Sequence, residues 1–204
     1  MANFCGYRFN IPEARLLASL HSIRHDLDGT LEYCRRLEAM KSDEFDPVLW
    51  EAVSSAVVVR YARCFSSGAR DQLSHKLMHS APDTLREAHE YFIAVRSKHV
   101  AHSVNDFEEN DVTVTLREDG DDISIQGFGA HHGRVMGLDF AAPERLSEVA
   151  AWVLKHVNQE IKKEEQKLLP IAIDFGTLKI RSFGNPGGSD AKLQSRANGT
   201  RSKP

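Results

Sequence analysis

Arg96 and His102 are the residues of this chain whose types and spacing suit a definite chemistry. They stand in the stretch His89-Glu-Tyr-Phe-Ile-Ala-Val-Arg96-Ser-Lys-His99-Val-Ala-His102-Ser103. A neutral imidazole can take the proton from a ribose 2′-OH, which then attacks its own phosphodiester. A guanidinium can hold the phosphoryl oxygens with two parallel hydrogen bonds as charge builds on them. Imidazole suits the proton step because its ordinary pKa lies near neutrality. Such a pair could cut RNA without a metal. On a helix, positions 96 and 102 lie about 120° apart around the axis and ~9 Å apart along it, so one helix presents them poorly to one phosphate. Two copies packed across a two-fold axis would bring four such groups around a shared cleft, and a homodimer is the assembly expected.

The elements that must position this stretch are helical. Pro12 opens a first helix to about Met40, with Leu20, Ile23, Leu27, Leu31, Cys34 and Leu37 recurring at steps of three and four. Asp46-Pro47 is a helix-start signal, an N-cap followed by proline in the first turn. The second helix, to about Phe65, is apolar nearly all round, which predicts a central, buried position. Within it Arg60 and Arg63 require carboxylate partners or a polar cavity. A short helical piece around Arg70 to His79 follows, and Pro82-Asp83 starts a third long helix ending near Ser103 to Asn105. Its seam of Leu85, Ala88, Phe92, Val95, His99 and His102 runs into the candidate site.

Between residues 111 and 140 the period changes to two. Val112, Val114 and Leu116 alternate with Thr113, Thr115 and Arg117, a turn follows at Glu118-Asp119-Gly120-Asp121, and Ile123 and Ile125 begin a return strand. Val135 to Phe140 is read as a third short strand. Pro143 opens a fourth helix, with Leu146, Val149, Val153, Val157 and Ile161 facing inward, and Pro170 is expected to stop it. Ile171 to Ile180 is read as an extended segment packing back. After Ser182 the composition is too poor in apolar residues to order itself. The expectation is a mainly α domain over residues 1–182, with a small antiparallel β insertion at about 111–140 before the last long helix, and a disordered basic tail at 183–204.

At the candidate site a resemblance enters. Arg96-Ser-Lys-His-Val-Ala-His102 resembles the Arg-x(4–6)-His motif of the HEPN superfamily, and the helical layout with the motif closing the third long helix is similar to that family's bundle. The resemblance implies a metal-independent endoribonuclease of a toxin–antitoxin or phage-defence type, working as a dimer on RNA. It also implies an antitoxin or nucleotidyltransferase as a partner. Arg96 and His102 would take the catalytic positions, with Ser97 and His99 between them as candidates for contact with substrate. The family usually carries Asn, Asp or His directly after the arginine, and here that residue is Ser97. Inactive members share the wording, so a non-catalytic module binding nucleotide, RNA or a protein stands beside the nuclease reading. On purely structural grounds Arg96 could instead bridge to Glu90 or to a carboxylate of the first helix, and His102 could cap its own helix end.

The other histidines carry weaker signals. His75 with His79, and His21 with His25, are i, i+4 pairs that could share a helical face and hold zinc, but neither includes the glutamate of HExxH. His131-His132 sits in a glycine-rich stretch expected to be a loop tip. Phosphate-cradling glycine motifs, nucleophile elbows and RNA-recognition aromatic motifs are absent. No metal and no cofactor are expected.

Charge argues against a wholly basic nucleic-acid glue: the chain has net charge −3. From Gly176 onward six basic residues face Asp190 alone, a balance of +5, which leaves −8 on the remainder. Cys5, Cys34 and Cys64 are odd in number and widely spaced, as suits reduced thiols in a cytoplasm. The first residues lack a basic n-region followed by an apolar run, and the longest uncharged apolar-leaning run, Ala52 to Val59, is too short for a bilayer. A cytoplasmic protein without membrane attachment is expected.

Overall fold

The computed structural model describes residues 5–41, 45–97, 108–120, 122–134 and 137–184. The chain is mainly α. Helix α1 spans Arg15–Ala39 behind a 3₁₀ turn at Pro12–Ala14, α2 spans Pro47–Ala62, and a 3₁₀ helix at His75–Ser80 leads into α3, Asp83–Val95. Strands β1 (Glu108–Asp119) and β2 (Asp122–Arg134) follow, then α4 (Ala142–Phe175) and α5 (Thr177–Ser182). An antiparallel strand pair before the last long helix is the architecture that the change of period called for. The chain divides into two compact units, Ser22–Asn158 and Met1–His21 with Gln159–Pro204.

In the larger unit the core is drawn from four helices. Ile23, Leu27, Cys34 and Leu37 of α1, Trp50, Val57, Val58 and Tyr61 of α2, Phe92 and Val95 of α3, and Leu146, Val149, Val153 and Val157 of α4 are all buried. The α2 start works as its sequence signal requires: Asp46 Oδ1 accepts from the Val48 amide at 2.9 Å and the Leu49 amide at 3.0 Å. The expectation that α2 is enclosed all round is corrected. Val48 is 71% exposed, and Leu49, Ala52 and Ala56 are exposed as well, so one apolar face of this helix lies open.

Asp26 of α1, 4% exposed, supplies the carboxylate that the arginines require. Arg70 Nη2 reaches Asp26 Oδ2 at 2.7 Å, Arg60 Nε lies 3.5 Å from Oδ1 and Arg63 Nε 3.9 Å from Oδ2. Arg60 Nη2 also lies 3.1 Å from His25 Nε2.

The strands pair in one register from Glu108↔Arg134 to Asp119↔Asp122, with an irregularity at Thr115/Leu116, and Gly120 turns the chain at φ +58°. Val112, Val114 and Leu116 lie opposite Ala130, Phe128 and Ile125, which gathers the apolar residues on one face. That face is open, with Phe128 76% exposed. His131 and His132 belong to β2, paired with Asp111 and Asn110, and not to a loop tip.

The third strand read at Val135 to Phe140 is also corrected over its described residues, 137–140, which form no strand, while 135 and 136 lie outside the described residues. Gly137 has φ +80°, and Trp50 Nε1 donates to the Leu138 carbonyl at 2.8 Å, so this backbone is bent onto α2. Trp50 packs edge-on against Phe140, ring centroids 5.0 Å apart.

In the smaller unit, Pro170 does not stop α4, which continues to Phe175, and the following residues form α5 instead of an extended segment. Proline removes one amide donor, but packing around it outweighs that loss. Leu168 is buried, Phe9 meets the Phe175 ring edge-on at 5.5 Å, and Phe9 and Phe175 both contact Phe183. The Arg8 amide donates to the Gly184 carbonyl at 2.9 Å. Phe183 and Gly184 therefore belong to packed structure, and the rest of the expected basic tail lies outside the described residues. Among the described residues no helix is long and apolar enough to cross a membrane.

Candidate functional site

The described part of the site motif begins at the end of α3. Arg96 keeps helical dihedrals, φ −57° and ψ −46°, and its amide donates to the Ile93 and Phe92 carbonyls. Arg96 and Ser97 continue the chain in a π-helical turn, a widening often found where a helix carries function. Among the described residues no carboxylate pairs with the half-buried Arg96, and the bridge to Glu90 is not formed. His99 and His102 lie outside the described residues, as does the predicted helix end near Ser103.

Ser97 lines a pocket of about 330 Å³ between α3 and the 3₁₀ helix at His75–Ser80. Its α3 wall follows from helical periodicity: Arg86, Glu90, Ile93 and Ser97 recur at steps of four, three and four and all reach the pocket. The opposite wall brings His75, Met78 and His79. Arg86 is held by Asp83 one turn earlier, Nη2 to Oδ1 at 2.7 Å. Arg96, one position on from the valine at the helix end, sits roughly 100° around the axis from Ser97.

Behind the pocket runs a buried polar chain. The Tyr61 hydroxyl lies 2.9 Å from His89 Nδ1, and His89 Nε2 lies 2.9 Å from His75 Nδ1. Tyr61 and His89 are buried, His89 to 3% exposure, whereas His75 opens to solvent. Phe65 stacks on the His75 ring at 5.3 Å and meets the His89 ring edge-on at 4.5 Å. Burial, with a smaller contribution from the neighbouring His75, pushes His89 down to about 4, so it is neutral at physiological pH. Burial also holds the Tyr61 phenol well above its ordinary range.

This chain is absent from the sequence reading, although a signal existed. His89 is four residues after Leu85 and three before Phe92, which places an imidazole on the apolar seam. The i, i+4 pair His75 and His79 does not stack as on an α-helix because the segment is 3₁₀, where four residues turn about 120° beyond a full circle, although both rings line the pocket. His21 and His25 likewise have separate partners: His21 Nε2 stands 4.0 Å from Glu165 Oε1, and His25 faces Arg60. Among the described residues no group of three or more His, Cys, Asp or Glu is placed to hold a metal. Comparison with protein-family models, with curated proteins and with solved structures returns no match to this chain.

Proposed function

We propose that this chain is a HEPN-like, metal-independent RNA endonuclease of a toxin or phage-defence type, acting in the cytoplasm at a cleft shared by two copies. Arg96 would hold the phosphoryl oxygens, His102 would take the 2′-OH proton, and Ser97 and His99 would contact the substrate. The observation that carries the reading is the state of Arg96: a half-buried guanidinium at the end of α3 with no carboxylate partner among the described residues. A guanidinium with no carboxylate partner among the described residues, next in sequence to the pocket-lining Ser97, is suited to a phosphodiester. The mainly α layout agrees with the resemblance, the strand pair before the last long helix is an addition to that family's minimal bundle, and the open apolar faces of α2 and the hairpin are surfaces a second copy would cover.

The test is cleavage of single-stranded RNA in EDTA by the purified chain and two variants. His102→Ala removes the proton acceptor and should cost about 10²–10⁴-fold in rate. Arg96→Ala removes transition-state charge stabilisation and should cost about 10²–10³-fold. Equal cutting by parent and double variant would place the activity elsewhere.

The open hairpin face favours a second reading, a HEPN-type interaction module without catalysis. Val112, Val114, Ile123, Ile125 and Phe128 are exposed large hydrophobics on a two-stranded sheet, a unit of marginal stability by itself. An antitoxin or nucleotidyltransferase would be a partner under either reading. A folded chain that cuts no RNA but binds it, or binds a protein through the hairpin, would favour the module.

A further inference from the structure

We infer that the pocket between α3 and the His75–Ser80 segment is a phosphoryl-binding subsite in which His75 Nε2–H is an oriented donor, its tautomer fixed by the Tyr61–His89 chain behind it. This inference does not rest on RNA cleavage, because binding can be read without turnover.

The proton positions follow from the environment of each group. The Tyr61 hydroxyl is fully buried, and its partner among the described residues is His89 Nδ1. Were that nitrogen protonated, the hydroxyl proton would be left buried without an acceptor, at a cost of about 1–3 kcal/mol. Tyr61 therefore donates to His89 Nδ1. Neutral His89 then carries its one proton on Nε2 and donates it to His75 Nδ1. A neutral His75 must hold its proton on Nε2, on the far side of a ring that Phe65 stacks in place. Two buried residues thus determine which atom an exposed imidazole offers to a ligand, the role that outer partners play in setting a histidine's tautomer.

The surroundings select the ligand class. Around His75 the pocket offers further donors, the Arg86 guanidinium, the Ser97 hydroxyl and the His79 ring, while Glu90 on the rim is the one carboxylate among the lining residues. Met78 and Ile93 form an apolar wall. A volume of about 330 Å³ exceeds what a lone carboxylate fills and suits a phosphate with part of its ester. The phosphate could belong to a free monoester or to an RNA strand.

The test uses the full chain labelled with ¹⁵N in histidine, the His75 signals being assigned through His75→Gln. The neutral His75 ring should carry its proton on Nε2, and inorganic phosphate should shift that nitrogen saturably. His75→Gln should weaken phosphate binding about tenfold, the worth of one hydrogen bond. Tyr61→Phe keeps the ring and removes the hydroxyl, so His75 should lose its single tautomer and bind phosphate more weakly while the fold persists. Saturable shifts with a 2′-O-methyl RNA oligomer lacking terminal phosphate would assign the subsite to a diester in a strand. Shifts with inorganic phosphate and glycerol phosphate alone would assign it to a free monoester. A His75 proton on Nδ1, or the absence of any saturable His75 shift with all three probes, would overturn the inference.

Discussion

Arg70 Nη2 and Asp26 Oδ2 meet at 2.7 Å across forty-four residues of sequence, and this contact ties the irregular segment after α2 back to α1. Arg70 also donates to Ser22 Oγ at 2.6 Å and to the Arg63 carbonyl at 3.2 Å, while Arg60 and Arg63 share the same carboxylate. Removing the buried carboxylate leaves the half-buried Arg60 and Arg70 guanidiniums uncompensated, while the exposed Arg63 keeps its water. Asp26→Asn should therefore lower the unfolding free energy by about 3–5 kcal/mol, measured by urea denaturation. A loss under about 1 kcal/mol would mean that the arginines find water or other partners.

Gly29 allows that cluster to form. A Cβ on Gly29 would fall 2.3 Å from Arg60 Cζ and 2.4 Å from its Nε. Gly29→Ala would ordinarily stabilise a helix interior by about 1 kcal/mol. Here it should destabilise by about 1–3 kcal/mol, because the guanidinium must leave Asp26. Thermal denaturation gives the sign directly, and a rise in Tm would refute the close approach.

Burial of neutral His89 makes stability depend on pH. The pKa is about 4 in the folded protein against an ordinary 6.5, so between these values the unfolded chain binds more protons. Stability from this residue is fully present above pH 6.5 and is lost progressively as pH falls to about 4. The full loss is about 3 kcal/mol. His89→Gln should flatten that part of the profile in urea titrations run at several pH values. An unchanged slope would show that His89 is solvated.

Much of this organisation was legible in the sequence, and the exceptions have physical causes. Asp46-Pro47 predicts its helix start because a cap is a local interaction, complete within three residues. The inner face of α4 and the hairpin are read from period alone. Pro170 misleads because its local cost is outweighed by packing with residues far away in sequence, and α2 because apolar composition does not require burial on every side. The Tyr61–His89–His75 chain depends on three segments meeting, so spacing within one helix showed only the suspicious position of His89. Ser97 lines a pocket whose other wall, His75 and His79, comes from a segment whose 3₁₀ geometry periodicity did not reveal.

The proposed shared cleft requires two copies. Sedimentation at micromolar concentration should give about twice the 22.9 kDa chain mass. A stable monomer would contradict a composite site.

The central claim is tested most directly by the chemistry of the cut end. Two single-stranded RNAs, identical except for one 2′-deoxy nucleotide at the cleavage site, are incubated with the parent chain in EDTA, and the products are identified by mass. If the substrate's own 2′-OH is the nucleophile, the all-ribose strand yields a 2′,3′-cyclic phosphate and the deoxy strand stays intact at that position. Cleavage of the deoxy strand at the same position, or dependence of cutting on a divalent metal, would contradict the account.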